Sequence, residues 1–378
     1  MYASALVWGP SGGWKPADAT TDDADIVFYF GLRRNLAGTS AIKELRSLYP
    51  SARLVGCSTG GHVLGEDVVD DEVAALAMKF ERTPIKLAHI KVDDHGDSHA
   101  CGAALGAQIA DPDLSAAFVL SDGLRVNGAQ LVAGLVDAVG ASVRIAGGLA
   151  GDGADFSETL VGLDDDLCSG QVVAIGFYGP AIQVRTGSAG GWDVFGPRRR
   201  VTQASGNVLL TLDGEPALDL YERYLGPEAP ALPGSGLLFP LKIFDPENPE
   251  HDIVRTLLAI DRAARSMTFA GDIPQGWTAQ LMRGSHHNLV NGAADASAQA
   301  RAKAPLAAQA ALLVSCIGRR LLMGQRTGDE IEAVASFLGE ETPRAGFYSY
   351  GELAPHARTD RCELHNQTMT VTTFAEAL

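Results

Sequence analysis

The chain has 378 residues, of which 46% are apolar and 20% are charged, and it carries a formal net charge of −16. This composition predicts a soluble globular protein of two or three domains, and the acidic charge argues against nucleic acid or an anionic membrane surface as a partner, because both attract clustered Lys and Arg. Because no apolar run approaches the ~20 residues of a membrane span and the first residues lack a secretory signal, we predict a cytoplasmic location without membrane insertion.

The N-terminal part alternates strand and helix patterns. Apolar runs and helical periodicity predict strands at residues 25–31, 52–57, 72–80, 85–92, 116–120 and 143–146, and helices at 40–49, 98–110 and 127–139. Ser40 is the expected N-cap of the first helix. Gly60, Gly61 and Gly65 are followed by β patterning, which favours hairpins over a helix. The predicted sheet is therefore mixed rather than purely parallel.

Two or three further strands are predicted between residues 157 and 188, followed by a corner at Trp192, Gly196 and Pro197. A turn at residues 212–216, a helix at 217–224 and a Pro- and Gly-rich stretch then indicate a boundary. After it we predict strands at 254–260, 266–271 and 311–316, helices around 293–303 and at 329–338, and a final hairpin. The predicted fold class is α/β, with mixed, partly antiparallel sheets and outer helices in a layered α-β-β-α arrangement of two domains.

The last stretch, residues 346–372, combines strand patterning with many polar side chains. Aromatic and β-branched residues favour two strands, and the polar run between them is typical of a loop that joins antiparallel partners. Pairing of these strands would bring Glu352 close to His365 and Asn366. A carboxylate, an imidazole and a carboxamide on one sheet can hold a small zwitterion. The alternative is a Glu–His pair that closes a loop over the core.

Two Gly-rich turns follow predicted strands. GCSTG, residues 56–60, matches the nucleophile elbow of α/β hydrolases, but an elbow requires a helix directly after the serine, and the next residues indicate a hairpin. AGGLAGDG, residues 146–153, lets backbone amides approach an anion, but it lacks a strict G-x-G-x-x-G and the chain has no P-loop. We interpret both as turns that face a ligand, and their predicted ligand contacts are Cys57, Ser58, Thr59, Gly148 and Asp152.

Metal and disulfide signals are weak. Five cysteines are widely spread without a C-x-x-C motif, which indicates reduced thiols rather than a disulfide framework or a zinc site. His62, His286 and His287 have no recognised ligand spacing and are interpreted as surface histidines. Arg319 follows a predicted buried strand, where its guanidinium could fork onto a ligand carboxylate or could pair with Glu352 or an acidic helix.

The order of several motifs resembles the FIST sensory proteins. The motifs are GCSTGG (56–61), GGLAGD (147–152), GW and FGP (191–197), VT (201–202), LDGEPALDLY (212–221), SCIGRR and MGQR (315–326), GFYSYGE (346–352) and HNQTMT (365–370). The resemblance covers nearly the whole chain and implies a FIST N-terminal domain at residues 1–216 and a FIST C-terminal domain at 217–378. It also implies a sensory module of signal transduction that binds a small ligand, with amino acids as the proposed ligands.

The resemblance further implies a partner and raises a cofactor. Known members often carry fused kinase or cyclase domains, and because no such output domain is evident here, the expected partner is a separate signalling protein such as a kinase or cyclase. A subset of the family resembles haem-based nitric oxide sensors, which is an alternative function. Its axial ligand would be His62, His286, His287 or His365, although no C-x-x-C-H attachment motif is present.

The predicted ligand site combines the two turns with the final strands, in a cleft between the two halves. Its second set of residues is Arg319, Tyr350, Glu352, His365, Asn366 and Thr368. In this hypothesis Glu352 binds an ammonium group and Arg319 a carboxylate. The enzyme alternative is a hydrolase that uses Ser58 or Cys57. Because no nucleophile, base and orienting group occur at a recognised spacing, we predict a binding module rather than an enzyme.

Overall fold

The computed structural model describes residues 1–16, 23–248, 250–302 and 304–377, and within these ranges the fold is mixed α/β. The helices are α1 (Arg33–Ala37), α2 (Ala41–Leu48), α3 (Ser98–Ile109), α4 (Gly128–Val139), α5 (Ala217–Leu225), α6 (His286–Arg301), α7 (Ile317–Met323) and α8 (Gly328–Leu338). The strands up to the middle of the chain are β1 (Tyr2–Gly9), β2 (Gly13–Pro16), β3 (Ile26–Gly31), β4 (Arg53–Ser58), β5 (His62–Leu64), β6 (Asp67–Val69), β7 (Val73–Lys79), β8 (Ile85–Lys91), β9 (Leu114–Ser121), β10 (Arg144–Leu149), β11 (Val161–Leu163), β12 (Asp166–Cys168), β13 (Gln171–Tyr178) and β14 (Ile182–Ala189). The remaining strands are β15 (Trp192–Ser205), β16 (Val208–Leu212), β17 (Glu215–Pro216), β18 (Leu241–Phe244), β19 (Asp252–Arg255), β20 (Leu257–Asp261), β21 (Ser266–Phe269), β22 (Thr278–Gly284), β23 (Ala310–Cys316), β24 (Arg344–Ser349), β25 (Gly351–Pro355), β26 (Cys362–His365) and β27 (Met369–Glu376).

Three similar β-α-β units build the core of the fold. Their parallel strand pairs are β3 with β4, β9 with β10 and β23 with β24, and the crossovers contain α2, α4 and α8. In each unit the first strand also pairs antiparallel with a later strand, which is β7, β13 or β27. The predicted mixed sheets are therefore confirmed. Apolar runs such as IVFYFG in β3 form these strands because both faces of each sheet are covered.

Each unit places one hairpin on the sheet of another unit. The hairpin β5–β6 of the first unit extends the third sheet through β24, β11–β12 of the second unit extends the first sheet through β4, and β25–β26 of the third unit extends the second sheet through β10. The three sheets are thus linked in a ring. The ring also joins the two ends of the chain, because the Met1 ammonium lies 3.2 Å from the Glu376 carboxylate.

The inner faces of the three sheets share one apolar core. Buried phenylalanine rings connect the sheets in pairs: Phe28 with Phe118 at 5.6 Å between ring centroids, Phe30 with Phe347 at 4.9 Å, and Phe177 with Phe374 at 5.4 Å. The outer faces are covered by helices, as predicted: α2 on the first sheet, α3 and α4 on the second, and α6 and α8 on the third. The arrangement has three inner sheets, one more than the α-β-β-α layering implies.

A β-module, residues 192–284, is inserted into the third unit between β14 and α6. It contains β15 to β22 and α5, which pack around a separate apolar core. The module contacts the core of three units through Asn127 Nδ2, which donates to Asp272 Oδ1 at 2.8 Å, and Arg255 Nη1, which donates to Leu364 O at 3.0 Å. Residue 216, the predicted domain boundary, lies inside this module, and the division into residues 1–216 and 217–378 stays a prediction.

Most predicted elements are confirmed, but several differ. The corner predicted at 192–197 belongs to the long strand β15, which continues through a register shift between Phe195 and Arg199, where Gly196 has a φ of 70°. The strand predicted at 254–260 is two strands, β19 and β20. Between residues 157 and 189 there are four strands, β11 to β14, rather than two or three. The helix predicted around 293–303 begins earlier, at His286, and its predicted end at Lys303 lies outside the described residues. The elements that were not predicted are β1, β2, β16, β17, β18, β22, α1 and α7.

The structure confirms the position of the predicted N-cap of α2 but not its capping hydrogen bond. Ser40 is the N-cap residue of α2, but its side chain accepts no hydrogen bond from a backbone N–H. Its hydroxyl instead donates to the Glu44 carboxylate one turn later. Asn127 behaves as a cap should, because its side-chain oxygen accepts from Ala129 N and Gln130 N at the start of α4.

Candidate ligand site

Three turns, one from each unit, meet where the parallel strand pairs end. They span residues 58–61, 149–152 and 348–351 and follow β4, β10 and β24. Backbone hydrogen bonds connect them in a closed ring: Gly151 N to Ser58 O at 3.0 Å, Tyr350 N to Leu149 O at 3.1 Å, and Tyr348 N to Gly61 O at 2.9 Å. Because the carboxyl ends of parallel strands are where α/β proteins commonly bind ligands, this ring positions the candidate residues around it.

The first turn is used for internal contacts. Cys57 is fully buried, and burial raises the pKa of its thiol well above the ordinary value. Ser58 Oγ accepts from Leu160 N at 2.9 Å, and Thr59 Oγ1 accepts from Tyr348 N at 3.0 Å. Among the described residues, no base lies within hydrogen-bond distance of Ser58 Oγ. This geometry gives the hydrolase alternative no activated nucleophile.

Asp152 in the second turn organises the loop that follows it. Burial acts to raise the pKa of its carboxyl group, but hydrogen bonds from Tyr350 and from backbone amides outweigh burial and lower it. The side chain is therefore an ionised acceptor with many donors. These donors are Phe156 N at 2.9 Å, Ser157 N at 2.8 Å, Ser157 Oγ at 3.1 Å, Glu158 N at 2.8 Å and the Tyr350 hydroxyl.

Glu352 lies opposite Gly148 on one side and His365 on the other, so the predicted approach of Glu352 to His365 is confirmed. Its carboxylate is fully buried and accepts from Ser349 Oγ at 2.6 Å, Thr368 N at 3.1 Å and Thr368 Oγ1 at 2.9 Å. Burial raises the pKa of Glu352 to about 8, although these hydrogen bonds act in the opposite direction. Glu352 therefore carries a proton over much of the neutral pH range.

Arg319 is fully buried beside helix α8. Its guanidinium donates to Glu330 Oε2 from Nε at 3.0 Å and from Nη2 at 2.7 Å, and Nη2 also donates to Leu289 O at 2.8 Å. The remaining Nη1 donates to Gly190 O. The sequence left three partners open for Arg319: a ligand carboxylate, Glu352 or an acidic helix. In the structure Arg319 pairs with Glu330 of helix α8.

A cavity of about 580 Å³, which we call the polar cavity, lies between the core of three units and the β-module. Three of the predicted ligand contacts line it, namely His365, Asn366 and Thr368. The other predicted contacts lie outside its lining: Cys57, Ser58, Thr59, Gly148, Asp152, Arg319, Tyr350 and Glu352. Asn366 is fully buried, and its Nδ2 has no hydrogen-bond partner in the described part of the chain.

Charged groups of both signs stand on the wall of the polar cavity. Lys242 Nζ lies 2.7 Å from Asp252 Oδ2, and Arg358 lies 3.7 Å from Glu250. Asp295 on α6 is exposed and has no hydrogen-bond or ion-pair partner within the described ranges. Sequence reasoning missed these residues because they come from separate segments and form no motif. No local signal could have found them.

Histidines border the cavity where the β-module meets the core. The ring of His365 stacks on that of His356 with 6.1 Å between centroids, and His356 Nε2 lies 3.1 Å from Asp252 O. Burial lowers the pKa of His365 to about 4, so its imidazole is neutral at neutral pH. Of the four histidines proposed as haem ligands, His365 borders the polar cavity.

The polar cavity does not fit a haem group. A porphyrin requires a mainly apolar slot, whereas this lining carries Lys242, Asp252, Asp295 and Arg358. The prediction that His62 is a surface histidine was wrong, because β5 pairs with β24 and buries it completely. Its ring nitrogens have no hydrogen-bond partner in the described residues, and burial lowers its pKa to about 4.

The two other histidines lie at the start of α6. His286 Nε2 is 3.1 Å from Asp329, and His287 is exposed and lies 3.1 Å from Asn291. The described residues contain no group of three or more His, Cys, Asp or Glu side chains placed to hold a metal ion. Within the same ranges, no helix combines the length and the apolar character needed to cross a membrane.

The structure is that of a mixed α/β protein with a polar cavity of about 580 Å³ between a core of three units and an inserted module. Family comparison gives this class a name. The FIST N domain matches residues 25–215, and the FIST C domain matches residues 217–355. The chain therefore belongs to the FIST family, as the motif order predicted, and FIST domains are associated with sensing in signal transduction.

Other comparisons add little. No curated protein sequence matches the chain significantly. Among solved structures, the crystal structure of a cyanuric acid hydrolase from A. caulinodans is similar over 100% of this chain and 99% of that one, with 11% sequence identity and a TM-score of 0.35. At that level the similarity carries no argument about function.

Proposed function

We propose that this protein is a sensory module that binds an amino acid or a similar zwitterion in the polar cavity. One observation carries the proposal: the cavity wall presents a partnerless carboxylate, Asp295, together with the cations Lys242 and Arg358. A zwitterion needs one group of each sign at a short separation. The volume of about 580 Å³ is in the usual range for small-molecule sites.

Each side chain then has a role. Asp295 accepts hydrogen bonds from the ligand ammonium, and Arg358 donates to its carboxylate as a fork. Asn366 supplies a further amide donor, because its Nδ2 lacks a partner. Thr368 contributes a hydroxyl whose orientation is fixed by Glu352, since Thr368 Oγ1 donates to Glu352 Oε2 at 2.9 Å.

Glu352 and Arg319 support this lining from behind rather than contacting the ligand. Both side chains are fully buried, and their polar atoms already have protein partners. In the proposed function the ligand changes how the β-module sits on the core, and a separate cytoplasmic signalling protein, such as a kinase or cyclase, responds. The association of FIST domains with signal transduction supports this output.

Calorimetric titration of the full chain with the common amino acids tests the proposal. We expect one or more of them to bind, and Arg358→Ala to weaken that binding by at least about tenfold, because a charge-assisted contact is lost. Arg361→Ala is the matched control, since Arg361 lies in the same loop but faces Asp137 at 3.6 Å and does not line the cavity. Absence of binding by every amino acid, or equal effects of both variants, would contradict the proposal.

A further inference from the structure

A second cavity, of about 390 Å³, lies at a different contact between the core and the β-module. We call it the apolar cavity. The core contributes the loop after β9 and the start of α4, together with Leu149, Phe156, Tyr350 and Leu364, and the module contributes Asn207, Leu258 and residues 269–271. It opens at the carboxyl ends of the parallel strands β9 and β10, a usual place for ligands in α/β folds.

Apolar side chains dominate this cavity. Of the eight large apolar side chains that are exposed in the described part of the chain, three line it: Leu124, Phe156 and Leu258, which are 38%, 38% and 40% exposed. Exposed apolar surface concentrated at one concave place marks a binding site more strongly than scattered residues do. Arg125 is the charged residue among the described residues of the lining, and its guanidinium already pairs with Asp93.

One wall of the apolar cavity is an aromatic pair. The ring of Phe156 stacks on Tyr350 with 4.7 Å between centroids and 11° between ring planes. Phe156 has a φ of 48°, a left-handed conformation that is unusual for a bulky residue. Asp152 holds this conformation, because its carboxylate accepts from Phe156 N and from the Tyr350 hydroxyl. The loop therefore keeps an exposed aromatic face at the cavity against its own backbone preference.

We propose that the apolar cavity is a second ligand site, which takes a small, planar, uncharged molecule with an aromatic ring. The ring stacks against Phe156 and contacts Leu124 on the core and Leu258 on the module. A charged ligand is disfavoured, because its charge would lose water without gaining an unpaired partner in this lining. The site is separate from the polar cavity, and its occupant bridges the core and the β-module.

Indole is a suitable probe, because it is planar, uncharged and small. Saturation-transfer NMR with the full chain is expected to show indole binding, and Leu258→Ala and Phe156→Ala should each weaken it by about tenfold through lost apolar contact. Leu48→Ala is the matched control, since Leu48 is 51% exposed and lies on α2, away from the cavity. Because truncation of exposed leucines changes stability little, Leu258→Ala remains informative if Phe156→Ala impairs folding.

Two further results separate this site from the polar cavity. Arg358→Ala should leave indole binding unchanged, and free tryptophan should not compete with indole at this site, because its zwitterionic backbone is excluded from the apolar lining. Indole that does not bind, or that binds Leu258→Ala and the native chain equally, overturns the proposal. Failure of the amino acid titration leaves the indole result unaffected, so the two proposals fail separately.

Discussion

Two regions of the molecule occupy equivalent positions in the repeated units but have opposite character. Counted from the last residue of the first parallel strand, Leu124 and Arg125 in the second unit correspond to Arg319 and Arg320 in the third. In the third unit the segment after β23 packs against the turn at Gly60 and, within the described residues, leaves no cavity between them. We call this contact the closed junction. In the second unit the segment after β9 lies beside the turn at Tyr350, and the apolar cavity remains between them. We call this contact the open junction.

The closed junction is filled by cationic side chains with protein partners. Arg320 donates from Nη1 to Gly60 O and from Nη2 to Asp70 at 2.6 Å, and its guanidinium leaves no room for a Cβ on Gly61. A Cβ on Gly60 would lie 2.5 Å from Ile317 Cδ1. The comparison teaches that the same backbone arrangement has two outcomes: with arginines the side chains connect two units, and with Leu124 a cavity is left between them.

Loss of the buried ion pair at the closed junction should have the largest effect. Arg319→Met leaves Glu330 buried without its partner, so we expect the free energy of unfolding to fall by ~3–5 kcal/mol. Chemical denaturation measures this change. Arg326→Met removes a solvent-exposed pair with Asp329 and should cost less than ~1 kcal/mol. Similar losses in the two variants would show that the closed junction is no more stabilising than the surface.

The pH dependence of stability should be the next largest effect, and Glu352 beside the closed junction controls its alkaline side. Its pKa of about 8 means that the folded chain keeps a proton that the unfolded chain releases near 4.5, so stability falls by about 4 kcal/mol as pH rises from 4.5 to 8. Glu352→Gln should remove this fall. The exposed Glu341→Gln should not.

The acidic side follows from the buried histidines. His62 and His365 have pKa values lowered to about 4, so the unfolded chain binds protons below 6.5 that the folded chain does not, and stability decreases as pH falls from 6.5 to 4. Between pH 4.5 and 6.5 the two histidines outweigh the single Glu352, so denaturation curves between pH 4 and 9 should show a maximum near pH 6.5. A maximum at alkaline pH would mean that Glu352 is ionised in the folded state.

Removal of the second arginine should distinguish the two junctions by a smaller amount. Arg320→Ala removes the contacts to Gly60 and Asp70 and should lower the free energy of unfolding by ~1–2 kcal/mol. Its counterpart Arg125→Ala removes only an exposed pair with Asp93, with an expected change below ~1 kcal/mol. Thermal unfolding of both variants in parallel provides the test. A larger loss of stability for Arg125→Ala than for Arg320→Ala would show that the open junction, not the closed one, holds its two units together more strongly.

The smallest effect is expected at the open junction. Leu124→Ala should change the free energy of unfolding by no more than ~0.5 kcal/mol, because this side chain is 38% exposed and faces a cavity. Indole binding should nevertheless weaken, since Leu124 forms part of the lining. A large loss of stability, comparable with that of Arg319→Met, would indicate that Leu124 belongs to the core rather than to a binding site.

The sequence by itself determined the elements and their local neighbours. Strands such as β3 and β9 and helices such as α3 and α4 follow from apolar runs and periodicity, which are properties of short segments. The pairing of Glu352 with His365 was also accessible, because the two residues lie on adjacent strands joined by one loop. The order of the motifs was sufficient to identify the family.

Only the tertiary structure decided which distant groups meet. The exchange of hairpins between sheets left no trace in local patterning, since a strand such as β5 pairs with β24, far along the chain. Burial of His62 and the choice of Glu330 as the partner of Arg319 depend on this long-range closure. The polar cavity gathers Lys242, Asp295 and Arg358 from separate segments, and the energy that brings them together comes from sheet and core packing rather than from any interaction between neighbours in sequence.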